Sequence, residues 1–346
     1  MKKEILLLKL LAKADINKAV IDGILITEIN WGKFLEEAFN HKMHNLVWFN
    51  IQKNQLLKYL PKFVCNLLDL HWKSTVLKSN SYFMHIGEIA TMLNKAGIPY
   101  AFIKGFDLID KLYCNRSEYI RTFNDLDILV EPKHLDKIEK LFLDKGFVFG
   151  NYDFNEDRIV PADRYEIIKM KMTSHQLYPL VKKVNYDNEG VFEGPINIDI
   201  NFTIFDGGKN IPAISTERLL KTACIRKAFN GIEYKSLDIY YAFVQLVCHL
   251  YREAHTEVFI EQKNDISLQK FCDIYEYLMW AENKWDIRKL VEIIYDANLS
   301  EPFWFVLFLT DILYETTFMP TILNKQTDYM EKYEDYILCF KERFQL

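Results

Sequence analysis

The chain has 346 residues, half of them apolar, with 25 Phe and 20 Tyr, and a formal net charge of -5. That much apolar sequence can bury a core for two or three domains, while the acidic balance excludes a globally basic nucleic-acid binder and would leave a polynucleotide only a local basic groove. The six cysteines (Cys65, Cys114, Cys224, Cys248, Cys272, Cys339) form no C-x-x-C pair, which points to thiols in a reducing compartment and away from a disulfide framework.

The first fourteen residues imitate a secretory signal, with basic residues, an apolar run and an Ala-x-Ala ending. Glu4 and Lys9 cut the apolar run to Ile5-Leu-Leu-Leu8, well short of the ~7–15 residues such a signal needs. An amphipathic first helix is the better reading. No run approaches the ~20 apolar residues of a membrane span, so a cytoplasmic protein with no membrane partner is expected.

Residues 1–95 are helical in pattern, with apolar periodicity over 31–52 and 62–77 and Pro61 as the break. The texture changes after Gly97-Ile-Pro99. Tyr100-Ala-Phe-Ile103 reads as a strand, Lys104-Gly105 as a turn, and 106–113 as a short helix. Asp125-Leu-Asp-Ile-Leu-Val130 is a second strand. Pro132 then sits in the first turn of a helix that ends at Lys145-Gly146, before a strand at 147–149. Residues 150–195 are mixed in pattern. Ile196, Ile198, Ile200, Phe202 and Ile204 alternate with Asn197, Asp199, Asn201 and Thr203, the signature of a half-buried strand with one acid on its polar face. From about 211 onward the pattern is helical again. The expected organisation is a helical region at 1–95, an α/β core at 96–210 and a helical domain at 211–346.

Alternation along a strand puts Asp125 and Asp127 on one face, roughly 6–7 Å apart. Leu126, Ile128 and Val130 anchor the other face in a core. Two like charges so placed repel unless a cation joins them, and the natural cation is Mg²⁺, with Mn²⁺ as its substitute, because it takes oxygen ligands and bridges carboxylates to phosphates. Asp199 is the obvious third acid from a neighbouring strand, and three such carboxylates suit two-metal phosphoryl or nucleotidyl transfer. The Lys104-Gly105 turn offers backbone N–H groups and an ammonium to phosphates. Arg121, four residues before Asp125, reads as a group that orients acids or phosphates. A D-x-D pair also occurs in enzymes that hold nucleotide sugars through a metal. A nucleotide-sugar glycosyltransferase therefore remains an alternative, as does a non-catalytic nucleotide-binding or metal-binding module.

Lys104-Gly105, Arg121, Asp125-Leu-Asp127-Ile-Leu-Val130, the Pro-opened helix ending in Lys-Gly-Phe147 and Ile198-Asp199-Ile200 together resemble the uncharacterised nucleotidyltransferase family, within the DNA polymerase β-like superfamily. The resemblance extends to residues 38–44 in the lead-in and to His249 and residues 268–273 in the tail. It implies an α+β fold, a polymerase β-type nucleotidyltransferase core with a small mixed sheet flanked by helical regions. Asp125, Asp127 and Asp199 would be catalytic metal ligands, and a nucleoside triphosphate, ATP by preference, the donor. Lys104, Gly105 and Arg121 would bind the nucleotide. The acceptor stays open among a small molecule, a protein side chain and an RNA end. The chain departs from the family pattern where Phe106 follows Gly105 and where Asn201-Phe202 stand for His-Trp. His249, between apolar neighbours, reads as a core histidine, and Asp273 as partner of an N–H group or an arginine, or as a cleft residue.

Overall fold

The computed structural model describes residues 3–13, 16–187, 189–204, 214–261, 266–323 and 329–344. The chain opens with helices α1 (Lys3–Leu11), α2 (Lys18–Leu25), α3 (Trp31–Asn40), α4 (His44–Lys53) and the long α5 (Lys62–Lys95). Strand β1 (Tyr100–Ile103) runs into the short α6 (Gly105–Leu108), continued as a π turn over Ile109–Tyr113. There follow β2 (Asp125–Val130), α7 (Leu135–Asp144), β3 (Val148–Asp153), β4 (Arg158–Pro161), α8 (Arg164–Thr173), β5 (Leu180–Asn185), β6 (Glu193–Asn201), α9 (Thr216–Lys221), β7 (Cys224–Lys227) and β8 (Glu233–Ser236). The tail is α10 (Ile239–Ala254), α11 (Glu257–Glu261), α12 (Leu268–Ala281), α13 (Ile287–Asp296), α14 (Ser300–Tyr314), α15 (Phe318–Ile322) and α16 (Met330–Phe344).

These elements form two compact units, Met1–Lys73 with Tyr119–Arg121 and Leu246–Leu346, and Ser74–Glu118 with Thr122–Gln245. The first is helical. Its helix starts are written in the sequence, with the Asn17, Asn30 and Asp286 side chains each accepting a backbone N–H of the first turn. The apolar periodicity over 31–52 is cut in two, because Lys42 takes a left-handed φ of 56° between α3 and α4.

The second unit carries one mixed eight-stranded sheet, in the order β4-β3-β5-β6-β2-β1-β8-β7. β2 lies antiparallel to β1 and parallel to β6. Its centre is apolar on both sides of the acids, with Ile128, Leu129, Val130, Ile196, Ile198 and Ile200 fully buried. The sheet extends past the expected end of the core at 210, because β7 and β8 add to it beyond β1. Each of these strands is four residues long, too short to show alternation against a helical background, and the outermost, β7, presents Arg226 and Lys227 as charges suited to a sheet edge. β6 also ends at Asn201, earlier than the alternation to Ile204 suggests.

Candidate active site

The strand register brings the acids together. Asp125 opens β2 opposite Asn197 of β6, and Asp127 shares its rung with Asp199 on the parallel β6 and with Ile103 on the antiparallel β1. Neighbouring strands are about 4.8 Å apart, so Asp127 and Asp199 meet across one rung, and Lys104 leaves β1 directly beside them.

Lys104 holds φ 56° and ψ −127°. This is glycine territory, and a side chain there costs on the order of 1–3 kcal/mol. The strained turn delivers the Lys104 ammonium to Asp127 Oδ1 at 2.7 Å, with both side chains largely out of solvent. Asn201 Nδ2 donates to the same oxygen at 3.2 Å and to the Asp199 carbonyl at 3.1 Å. Asp127 is only 5% exposed. Burial pushes the Asp199 carboxyl well above the usual carboxylate range and the charges of Asp125 and Asp127 add to that, against the opposing pull of Lys104 and a hydrogen bond from Gln176.

The turn stands on a buried polar network. Gly105 starts α6, whose first closing bond runs from Leu108 N–H to the Lys104 carbonyl at 2.9 Å. One turn on, the Lys111 ammonium pairs with Asp107 Oδ2 at 2.5 Å and donates to Ser236 Oγ at 2.8 Å, while Tyr234 OH donates to Asp110 Oδ2 at 2.8 Å. Tyr82 of α5 steadies the strand starts, its hydroxyl donating to the Asn124 carbonyl at 2.7 Å and accepting from Asn197 N–H at 3.3 Å.

Arg121 falls in the helical unit. Its Nε lies 3.1 and 3.0 Å from the two carboxylate oxygens of Asp273, and Nη2 lies 2.9 Å from Oδ2, a fork on a largely buried acid. His249 is partly buried, with Nε2 3.2 Å from Glu253 and Nδ1 3.1 Å from Arg252 Nη2.

Asn201 stands in the sequence as a polar-face residue of the strand and a departure from the family pattern, with no role assigned, although its amide joins both strands of the site. Gln176 gave no signal. It lies in the mixed stretch before β5, and reaches the site because its backbone bridges to Asn201.

The donor chemistry fits a hard divalent cation, since Asp125, Asp127 and Asp199 offer only oxygens and crowd one another electrostatically. Among the described residues no three His, Cys, Asp or Glu side chains converge closely enough, as placed, to hold a metal ion. One oxygen of Asp127 is instead held by Lys104 and Asn201.

The mixed sheet sets Asp125 and Asp127 on one strand and Asp199 at the rung of Asp127 on its parallel neighbour, the arrangement expected of a nucleotidyltransferase core. The chain belongs to the uncharacterised nucleotidyltransferase family, whose sequence pattern matches residues 27–315. A comparison with curated proteins finds no match. Among solved structures, an antigenic nucleotidyltransferase-like protein from Paracoccidioides brasiliensis is 11% identical, with a TM-score of 0.36 over 70% of this chain and 96% of its own, too loose a likeness to carry an argument.

Proposed function

We propose that the protein moves a nucleoside monophosphate, AMP, from ATP to an acceptor hydroxyl, with Mg²⁺ or Mn²⁺ held by Asp125, Asp127 and Asp199. The observation that carries this reading is the shared rung of Asp127 and Asp199, with Asp125 two residues away on the same strand. Bound there, the divalent ion supplies charge neutralisation and in-line alignment of the phosphates.

The remaining roles fall to the chain's own side chains. Lys104, with the Gly105 turn, binds the β- and γ-phosphates through charge-assisted hydrogen bonds. Asn201 keeps the Asp127 carboxylate oriented through Oδ1. Asp199, whose burial and acidic neighbours raise its affinity for a proton, takes the proton of the acceptor hydroxyl on a carboxylate oxygen. That hydroxyl oxygen bonds to the α-phosphorus as the bond to the leaving pyrophosphate breaks. Among the described residues no helix is long and apolar enough to cross a membrane.

Incubation with α-labelled and γ-labelled ATP, Mg²⁺ and cell extract as a source of acceptor tests the reading. Transfer of the α label alone, with release of pyrophosphate, is expected, and the labelled fraction then tells small-molecule, protein and RNA acceptors apart. Preferential binding of UDP-sugars or GDP-sugars over every nucleoside triphosphate would overturn it in favour of glycosyl transfer.

A further inference from the structure

The α/β unit carries a cavity of about 870 Å³, bounded by the end of α5, by α7 with the turn that follows it, and by Lys182 of β5. That volume falls within the ~300–1,000 Å³ typical of small-molecule sites. Met92, Ala96, Leu141 and the largely buried Ile89, Phe142 and Phe147 contribute to its wall, and Lys95, Lys137, Lys145 and Lys182 stand around it, with Glu88 the only acidic residue of the lining among the described residues. Two of the ammonium groups are fixed in place. Lys137 Nζ donates to the Ala96 carbonyl just past α5 at 2.5 Å, and Lys182 Nζ donates to the Lys145 carbonyl just past α7 at 3.0 Å.

Capping of helix ends accounts for one N–H of each of these two lysines, and an ammonium has three. Lys95 ends α5 and Lys145 is the C-cap residue of α7, positions where the helix dipole favours a cation, and the two helix ends bring all four lysines to one cavity. Four cations facing one carboxylate select an anion. The apolar part of the lining, Met92, Ala96 and Leu141, favours an anion that carries hydrocarbon, because polar edges laid against it would stay unpaired. A hydrocarbon chain leaves no polar group unpaired there and gains by leaving water.

We propose that this cavity binds a small amphipathic anion, a hydrocarbon chain with a phosphate or carboxylate head, with the chain against Met92, Ala96 and Leu141 and the head among the four lysines. The site is separate from the acid cluster and its occupancy does not depend on nucleotidyl transfer.

The test is calorimetric titration of decyl phosphate and of decanoate, each below its micelle concentration, into the full chain. Lys95→Glu/Lys145→Glu is the charge variant, chosen because it spares the two lysines whose side chains bond backbone carbonyls at the helix ends. Leu141→Gln is the wall variant. At least a tenfold weakening in each is expected with unchanged far-ultraviolet ellipticity, and decanol, which lacks the head, should bind at least tenfold more weakly than decyl phosphate. Absence of binding, or equal affinity in wild type and in Lys95→Glu/Lys145→Glu, would overturn the proposal. So would displacement of decyl phosphate by ATP, which would place it in the nucleotide site, or binding to anionic vesicles without binding of the monomeric anions, which would make the patch a membrane-contact surface.

Discussion

The Lys104 ammonium rests 2.7 Å from Asp127 Oδ1, and the backbone that delivers it sits at a φ of 56°, where lysine is strained. A strained residue and a buried ion pair at one position oppose each other, since the pair holds the turn in a conformation that the side chain disfavours. Substitutions separate the two. Lys104→Ala and Lys104→Gly both leave Asp127 without its cation, a loss of about 3–5 kcal/mol when a buried pair is broken, but glycine relaxes the turn. Lys104→Gly is expected to be more stable than Lys104→Ala by ~1–3 kcal/mol in metal-free urea unfolding followed by ellipticity. Mg²⁺ should recover part of the loss in both. Equal midpoints for the two variants would show that the turn stores no strain.

The same contact separates the acids from one another. Electrostatic crowding alone would suggest that neutralising any of the three relieves the metal-free protein. Asp127, however, accepts from Lys104 and Asn201, whereas Asp199 is destabilised by burial and by its acidic neighbours. Asp127→Asn should therefore lower the metal-free melting temperature and Asp199→Asn should raise it at pH 7, while both abolish the Mg²⁺ response. The thermal shift of the two variants with and without Mg²⁺ decides, and stabilisation by Asp127→Asn would show the Lys104 contact to be energetically idle.

How far the sequence carried the fold follows from which signals are local. The β2 acids and the β6 alternation were legible because a strand writes its faces into every second residue, and the rung shared by Asp127 and Asp199 is what those two patterns imply once the strands lie side by side. The β7 and β8 strands were hidden by their length. Pairings between residues far apart in the chain leave no periodic trace, which is why Asp273 could be read as an arginine's partner but not as that of Arg121, 152 positions earlier, and why Gln176 with Asp199 was not visible. Lys104 was legible as a cation beside a glycine, but its contact with a carboxylate depends on a backbone conformation that residue type argues against.

Two histidines of the helical unit predict its response to acid. Burial pushes His44, stacked on Phe39 with ring centroids 4.5 Å apart, down to about 3, and His41, whose Nδ1 accepts from Leu268 N–H at 3.3 Å, down to about 4. Both are neutral in the native state, while in the unfolded chain they take up protons below about 6.5. Between these limits the unfolded state binds more protons, so stability should fall as pH drops from about 6.5 toward 3–4 and stay level in the neutral range above. All six tryptophans of the chain lie in the sequence of this unit, which makes indole fluorescence its own reporter. His44→Phe keeps a stacked ring without the titration and should flatten the acid limb. An unchanged pH profile in that variant would remove His44 from the account.

Arg121 is where a structural role and a nucleotide-binding role make opposite demands. Its fork on Asp273, with contacts of 2.9 to 3.1 Å, joins the segment before β2 to helix α12. Breaking a largely buried pair from one side costs about 3–5 kcal/mol, so Asp273→Ala and Arg121→Ala should each lower the tryptophan-monitored unfolding midpoint strongly. The double variant should lose much less than the sum. Arg121→Lys should recover only part, because a single ammonium cannot engage both oxygens as a planar guanidinium does. If Arg121 instead serves the nucleotide, Arg121→Ala leaves the unfolding midpoint in place and weakens ATP binding, while Asp273→Ala does neither. Unfolding and ATP titration of these two single variants, measured side by side, therefore assign the arginine to one role or the other.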